Sequence, residues 1–453
     1  MAHQPPADTQ PERAGGPDGR AGWQPRACVA ALALLAAAYL VQIASPLRLT
    51  PDAIAYLSMA GSAGAGSGLA FHGHATQYPP GYPLAIFSLR EAGLGTSWAI
   101  VALNCLLLGI GLISLYNLLR KAFEFARAPA LLVCAFTMLS FPFFKHVALP
   151  LSDILFFMLA MQALLAAEGL ARLSGHRRWG MWYVALLETA AATVTRTAGI
   201  ALVPAILWPH AVGIFHAIRK APGPRRLAYA VVAIALVLAA AAAASVWVFR
   251  SLYFENMRRQ YAAPCSTVPR VALYRLTEWG QLATNVPYSQ APAALRAAFP
   301  VIGAAALAIA VVALWARRRR VGPVEAFVVC YGLILLVWPY WDARFWLPVL
   351  PLVMAMVAQL VWRLIRTRPL RIAAAAYLAL FALIGLIGLV YTTRISLSGS
   401  SFPDRYRYPG LEATYEAAWG RRSAEDPAVN ADALRVLRRY EPRAASAPER
   451  RAE

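Results

Sequence analysis

Long, uncharged apolar runs recur along most of this 453-residue chain. Crossing the hydrocarbon core of a bilayer takes about 20 helical residues, and only helices or closed barrels satisfy every backbone hydrogen bond there. The runs are continuous and rich in Ala, Leu and Val, whereas barrel strands alternate between apolar and polar residues. The sequence therefore predicts an all-α fold, a polytopic bundle of transmembrane helices.

Eleven runs are predicted to span the membrane. They cover residues 27–44, 98–119, 128–144, 150–170, 181–195, 197–216, 227–249, 298–316, 321–340, 345–362 and 372–391. The composition agrees with this count, because 59% of the residues are hydrophobic and only 14% are charged, which is unlike a soluble domain. Residues 1–26 are rich in Pro, Gly and Gln and are predicted to be a disordered cytosolic tail.

Basic residues fix the predicted orientation. Short connections on one side carry clusters such as Arg317–Arg320, whereas those on the other side carry only Lys145, Arg196 or Arg344. The positive-inside rule makes the clustered side cytoplasmic, which puts the N-terminus inside the cytoplasm and the C-terminus outside it. Contact with anionic lipids then accounts for the net charge of +21, and we expect no nucleic acid partner.

Two long loops are predicted on the extracytoplasmic side, residues 45–97 and 250–297. Both mix aromatic, proline and charged residues, which is typical of interfacial helices. Residues 392–453 form a polar, Arg-rich extracytoplasmic tail, with a weakly amphipathic stretch near 411–440. We expect this tail to be either a small cap or largely disordered.

Two aspartates are expected at the start of outward-facing helices. Thr50 is a suitable N-cap and Pro51 a suitable first helical residue, which places Asp52 in the first turn with Tyr56 one turn later. Asp153 follows a proline in the same way at the next outward connection. An aspartate in a first turn is a common stabilising feature. Two at one membrane face, beside a loop rich in Pro and Tyr, favour a functional role.

Five sequence elements follow one another in a characteristic order. They are Asp52 with Tyr56, Tyr78–Pro83, Pro150–Asp153, Arg196–Ile200 and Arg344–Pro351. In this order and spacing the chain resembles the bacterial members of the C-type glycosyltransferase superfamily, which includes protein O-mannosyltransferases and lipid A aminoarabinose transferases. The resemblance covers residues 27–391, as a transmembrane catalytic module.

The resemblance implies an inverting transferase that takes a sugar from a polyprenyl-phosphate carrier. It implies that Asp52 deprotonates the acceptor hydroxyl and that Asp153 assists. Tyr56, Tyr78 and Tyr82 are the expected substrate contacts. The acceptor, whether lipid, glycan or protein, stays open.

Arg196 and Arg344 are the best-placed guanidiniums to bind the lipid phosphate through paired hydrogen bonds. The alternative for both arginines is interfacial snorkelling. His72 and His74 are candidate ligands of a divalent metal ion, and the alternative is a solvated or substrate-contacting loop.

Two other functions fit a chain of this kind. A transporter or lipid flippase also has many helical spans and buried acids. A ligase or polymerase of lipid-linked glycans would also use outward-facing Arg and His. Clustering of the Asp52 and Asp153 pair at one face favours sugar transfer over both.

Overall fold

The computed structural model describes residues 23–71, 74, 76, 78–170, 175–220, 252–262, 264–365, 367–398 and 411–446. These residues are mainly helical and contain no β-strand, although Phe71 and His74 form one isolated bridge. The all-α prediction is therefore confirmed for the described part of the chain. The predicted span 227–249, most of the predicted tail 1–26, and His72 lie outside the described residues.

We number the α-helices in chain order. They are α1 (Trp23–Val41), α2 (Pro51–Gly64), α3 (Gly81–Glu91), α4 (Ser97–Ala122), α5 (Arg127–Leu139), α6 (Phe141–His146), α7 (Asp153–Leu170), α8 (Gly175–Thr195), α9 (Leu202–Lys220), α10 (Leu252–Gln260), α11 (Pro264–Thr284), α12 (Ala293–Ala316), α13 (Pro323–Leu336), α14 (Leu350–Leu364), α15 (Arg368–Ser396), α16 (Glu412–Ala418), α17 (Ala431–Tyr440) and α18 (Pro442–Ala445). Short 3₁₀ helices cover Gln42–Ala44, Thr197–Ala201, Tyr288–Gln290, Arg318–Arg320 and Ala343–Trp346.

Among the described residues, five helical stretches are long and apolar enough to cross a membrane. They are Arg26–Ala44, α4, α7, α12 and α15. Four shorter apolar helices accompany them, namely α5, residues Thr197–Val212, α13 and α14. The described part of the chain thus has the helices expected of a membrane protein.

Several predicted spans have different limits in the structure. The run 128–144 is divided between α5 and α6, because Ser140 has an extended backbone with ψ 135° and Pro142 follows it. In the predicted span 321–340, the helix ends at Leu336. The last span continues to Ser396, five residues beyond the predicted limit of 391.

Close helix packing positions the predicted outer loop 250–297. This loop contains α10 and α11, and α11 packs closely against α12. Gly280 and Gly303 make the approach possible, since a Cβ atom on Gly303 would lie 1.7 Å from the Leu276 carbonyl oxygen. Small residues permit such contact between helix backbones. As a result α11 has a fixed position beside the loop that precedes α14.

A separate apolar cluster surrounds α2 and α3. Leu47, Tyr56 and Tyr82 pack there with Leu149 and with residues of α16 and α17. The C-terminal residues 411–446 are therefore folded against the segment that carries Asp52. This contact joins two parts of the chain that are far apart in sequence.

Candidate functional site

Local sequence places Asp52 at the start of α2. Thr50 has an extended backbone, and its hydroxyl accepts a hydrogen bond from the Ala53 amide at 3.2 Å. Pro51 follows as the first helical residue and Asp52 lies in the first turn, as the sequence predicts. The positive end of the helix favours a carboxylate at this point.

Arg344 is the centre of the site. Its Nη2 donates a hydrogen bond to Oδ2 of Asp52, a residue 292 positions away. Its Nη1 lies 3.9 Å from Oδ2 of Asp153, and its Nε lies 3.2 Å from Oδ2 of Asp342. Burial opposes the charge on Arg344, but Asp342, Asp153 and Asp52 together raise its pKa above the usual range. Arg344 is therefore a permanent cation that joins three carboxylates.

Arg196 is the second cation of the site. Its Nη1 donates a hydrogen bond to Oδ1 of Asp153. The guanidinium carbon lies 5.3 Å from the centre of the Phe345 ring and 5.9 Å from that of Phe156. The structure thus brings Asp52, Asp153, Arg196 and Arg344 together in one cluster.

The two predicted aspartates differ in exposure. The side chain of Asp52 is 30% exposed, whereas that of Asp153 is only 2% exposed. A bound molecule can reach Asp52 directly. Asp153 is enclosed, and its oxygens face Arg196 and Arg344.

The three predicted tyrosines have different surroundings. Tyr78 donates a hydrogen bond from its hydroxyl to Oδ1 of Asp52 at 3.1 Å. Tyr56 and Tyr82 are buried, with hydroxyl contacts to Ser152 at 3.2 Å and to Asn104 at 3.0 Å. Among the described contacts of these three tyrosines, only that of Tyr78 is a hydrogen bond to an ionisable side chain. Substrate contact by Tyr56 and Tyr82 stays a prediction.

The Tyr78 hydroxyl is a hydrogen-bond donor at neutral pH. Burial raises the pKa of Tyr78, and the negative charge of Asp52 raises it further, well above the usual range for a tyrosine. The hydroxyl therefore remains protonated and gives its hydrogen to the carboxylate. It occupies one side of Asp52 while Arg344 occupies the other.

The predicted metal ligands are not assembled into a site within the described residues. His74 is exposed and forms the bridge with Phe71, while His72 lies outside the described ranges. Among the residues whose positions are described, no group of three His, Cys, Asp or Glu side chains is arranged to hold a metal ion. Metal binding by His72 and His74 stays a prediction.

Sequence reasoning missed Asp342. Its side chain caps the 3₁₀ helix Ala343–Trp346 by accepting a hydrogen bond from the Arg344 amide at 3.0 Å. Burial opposes its charge, but Arg344, with His146 and Lys145, lowers the pKa of Asp342 below the usual range. Its position two residues before Arg344 is a usable signal, because an Asp that caps a turn fixes the residues that follow.

A buried contact between Arg275 and Glu278 on α11 supports the same loop. Glu278 accepts hydrogen bonds from the Asp342 amide at 2.9 Å and from Nε1 of Trp346 at 2.7 Å. Arg275 Nη1 lies 2.9 Å from Glu278 Oε2, and both side chains are buried. Burial raises the pKa of Glu278 to about 8, although the charge of Arg275 opposes this. Sequence reasoning missed this pair too, although its i, i+3 spacing on a helix is visible.

The charges of the cluster do not balance. Asp52, Asp153 and Asp342 supply three carboxylates, while Arg196 and Arg344 supply two guanidiniums. His146 adds no charge at neutral pH, because burial lowers its pKa to about 4. Lys145 is exposed and interacts electrostatically with Asp342. It is the nearby cation that can offset the excess negative charge.

The site combines an exposed carboxylate, a hydroxyl that already donates to it, and buried cations. Such an arrangement can accept a proton from a hydroxyl and stabilise a neighbouring anion. No protein-family model matches this chain, and no curated protein matches it.

Proposed function

We propose that this protein is an inverting glycosyltransferase of the C-type superfamily. It transfers a sugar from a polyprenyl-phosphate carrier to an acceptor outside the cytoplasm. The protein crosses a bacterial inner membrane about eleven times, with its N-terminus inside the cytoplasm and its C-terminus outside. The observation that carries it is the convergence of Asp52 and Asp153 on Arg344.

Asp52 acts as the base in this proposal. An inverting displacement needs a carboxylate beside the attacking hydroxyl, and the Tyr78 hydroxyl lies at hydrogen-bond distance from Asp52 Oδ1. An acceptor hydroxyl can take the same position. Its proton passes to Asp52, its oxygen bonds to the anomeric carbon, and the bond from that carbon to the phosphate oxygen breaks. The electron pair remains on the departing phosphate.

Arg344 stabilises the departing phosphate. A planar guanidinium binds phosphate oxygens in pairs, and its Nη2 is now occupied by Asp52. A donor phosphate that takes this position releases an oxygen of Asp52 from its cation. Donor binding would therefore prepare the base as well as the leaving group.

Asp153 and Arg196 hold the cluster together. Asp153 is enclosed and contacts Arg196 and Arg344, whereas Asp52 is accessible. Lys145 adds positive charge near Asp342, which favours approach of an anionic donor to a cluster of three acids and two arginines.

The test is an Asp52→Asn variant reconstituted in lipid, with consumption of a labelled polyprenyl-phosphate sugar as the readout. Tyr78 and Arg344 bind different oxygens of Asp52. Asn replaces one of those oxygens by an NH2 group, which accepts neither bond, and Asn cannot take the acceptor proton. We expect turnover to fall by about 100-fold or more.

The matched control is Asp426→Asn. The Asp426 side chain is 31% exposed and pairs with Arg422 at 3.2 Å, so exposure and ion pairing resemble those of Asp52. This control should keep normal turnover. Undiminished consumption of donor by the Asp52→Asn variant would defeat the assignment of the base.

A further inference from the structure

The C-terminal residues hold the chain just before Asp52. Tyr415 donates a hydrogen bond from its hydroxyl to the Leu47 carbonyl at 2.6 Å, and the same hydroxyl accepts from the Leu49 amide at 2.9 Å. Glu441 accepts from the Leu47 amide at 2.9 Å through Oε2. Two side chains from the end of the chain therefore bind the backbone at residues 47 and 49.

Other side chains of the same C-terminal segment contact α2 after Asp52. Tyr440 donates a hydrogen bond to the Leu57 carbonyl at 3.0 Å. Arg439 lies against Gly61, where a Cβ atom would come within 1.8 Å of Arg439 Nη1. The helix α2 is thus attached to α17 on the C-terminal side of Asp52 as well.

The hydrogen bonds to the backbone of Leu47, Leu49 and Leu57 are buried. Tyr415, Tyr440 and Glu441 are almost completely shielded from solvent. Loss of a buried hydrogen-bond partner leaves a backbone group unsatisfied, so such bonds fix position more strongly than exposed ones. Leu434 and Leu437 of α17 add apolar contact in the same cluster as Leu57. Each attachment point of α2 therefore resists displacement.

We propose that the C-terminal segment 411–446 positions Asp52, with Tyr415, Tyr440 and Glu441 as the positioning residues. Asp52 lies between the two sets of attachments, and its carboxylate must meet both Tyr78 and Arg344. A shift of α2 changes both contacts. The catalytic meaning of this inference rests on the proposed function, whereas the positioning of α2 does not.

The first measurement uses turnover of the labelled donor by full-length protein in lipid nanodiscs. The variant Tyr415→Phe/Tyr440→Phe keeps both rings and removes their hydroxyl bonds to α2 and to the residues just before it. Because a displacement of about 1 Å can lower a rate by about 100-fold, we expect kcat to fall at least about ten-fold. The KM for donor should change little, since Arg344 and Lys145 remain in place.

The matched control is Tyr39→Phe. Tyr39 is equally buried, and its hydroxyl donates to the Met138 carbonyl at 2.6 Å, away from α2. Its removal should leave kcat within about two-fold of the wild-type value, because general loss of one buried tyrosine hydrogen bond costs only modest stability. An equal fall in kcat for Tyr39→Phe would overturn the inference.

The second measurement does not depend on enzyme activity. Ala55 is buried in α2, so Ala55→Cys, in a chain without its five native cysteines, reports displacement of α2 through labelling by a membrane-impermeant maleimide. We expect Tyr415→Phe/Tyr440→Phe to raise the labelling rate several-fold, and Tyr39→Phe to leave it unchanged. Unchanged labelling in the double variant would refute the positioning. If the wild type consumes no donor while labelling responds as expected, the proposed function fails and the positioning stands.

Discussion

The ion pair between Arg196 and Asp153 gives a prediction about stability. Replacing one partner should destabilise the protein, whereas replacing the second partner as well should restore part of the lost stability. Both side chains are largely buried, at 15% and 2% exposure. Removing one partner of a buried pair leaves an uncompensated charge and costs about 3–5 kcal/mol. Asp153→Asn still offers one oxygen to Arg196, so we expect a loss of about 2–4 kcal/mol. Arg196→Gln should cost a similar amount.

The double variant Asp153→Asn/Arg196→Gln should be more stable than either single variant. Neutral amides replace both charges, so neither is left unpaired, and neutral replacements of buried pairs are often well tolerated. We therefore expect a favourable coupling of about 1–3 kcal/mol between the two substitutions. The assay is unfolding of the purified protein in one detergent, followed by tryptophan fluorescence and compared across the four proteins.

An exposed pair provides the control for this cycle. Arg320 and Glu124 lie 3.1 Å apart, but their side chains are 62% and 72% exposed. Glu124→Gln should therefore cost less than about 1 kcal/mol. The reasoning is refuted if Asp153→Asn costs no more than Glu124→Gln, or if the double variant loses the sum of the two single losses.

Three further predictions concern Arg344, Glu278 and the orientation of the chain in the membrane. Arg344→Lys should raise the KM for the labelled donor about ten-fold or more, because an ammonium lacks the planar fork; an unchanged KM would remove Arg344 from the donor site. The raised pKa of Glu278, about 8 when folded, means that the folded state binds this proton more tightly than the unfolded state does. Stability should therefore fall as pH rises from about 4 to about 8, and Glu278→Gln should remove that slope in melting temperature; parallel pH curves for the two proteins would contradict it. A reporter fused after Ile395 should register outside the cytoplasm, and a cytoplasmic signal would reverse the predicted orientation.

Local features of the site were predictable from the sequence. Thr50, Pro51 and Asp52 form a capped helix start whose geometry depends on three adjacent residues. The apolar runs also predict helices from local sequence, since each helix forms its backbone hydrogen bonds within its own run. The limits of those helices were less predictable. Ser140 interrupts one predicted span because its extended backbone ends α5, and α6 begins at the next residue, Phe141.

Long-range contacts were not predictable in the same way. Nothing near Glu278 indicates that its oxygens accept from Asp342 and Trp346, which are 64 and 68 residues away. Likewise the weak amphipathic pattern of the C-terminal residues does not indicate that Tyr415 binds the backbone at Leu47. Such partners are fixed by tertiary packing, and a single sequence contains no direct record of it.

The position of the charged cluster along the helices bears on the choice between sugar transfer and transport. Asp153 is the first residue of α7, Arg196 follows the end of α8, and Arg344 lies between α13 and α14. Asp52 likewise comes after the candidate span Arg26–Ala44. All four therefore lie at helix ends, yet they contact one another, so these ends meet at one face of the bundle. Secondary transporters place their binding residues near the middle of the membrane, at interrupted helices. A charged cluster at one face, in which Asp52 is accessible and Asp153 is enclosed, favours an enzyme that meets its acceptor from the aqueous side.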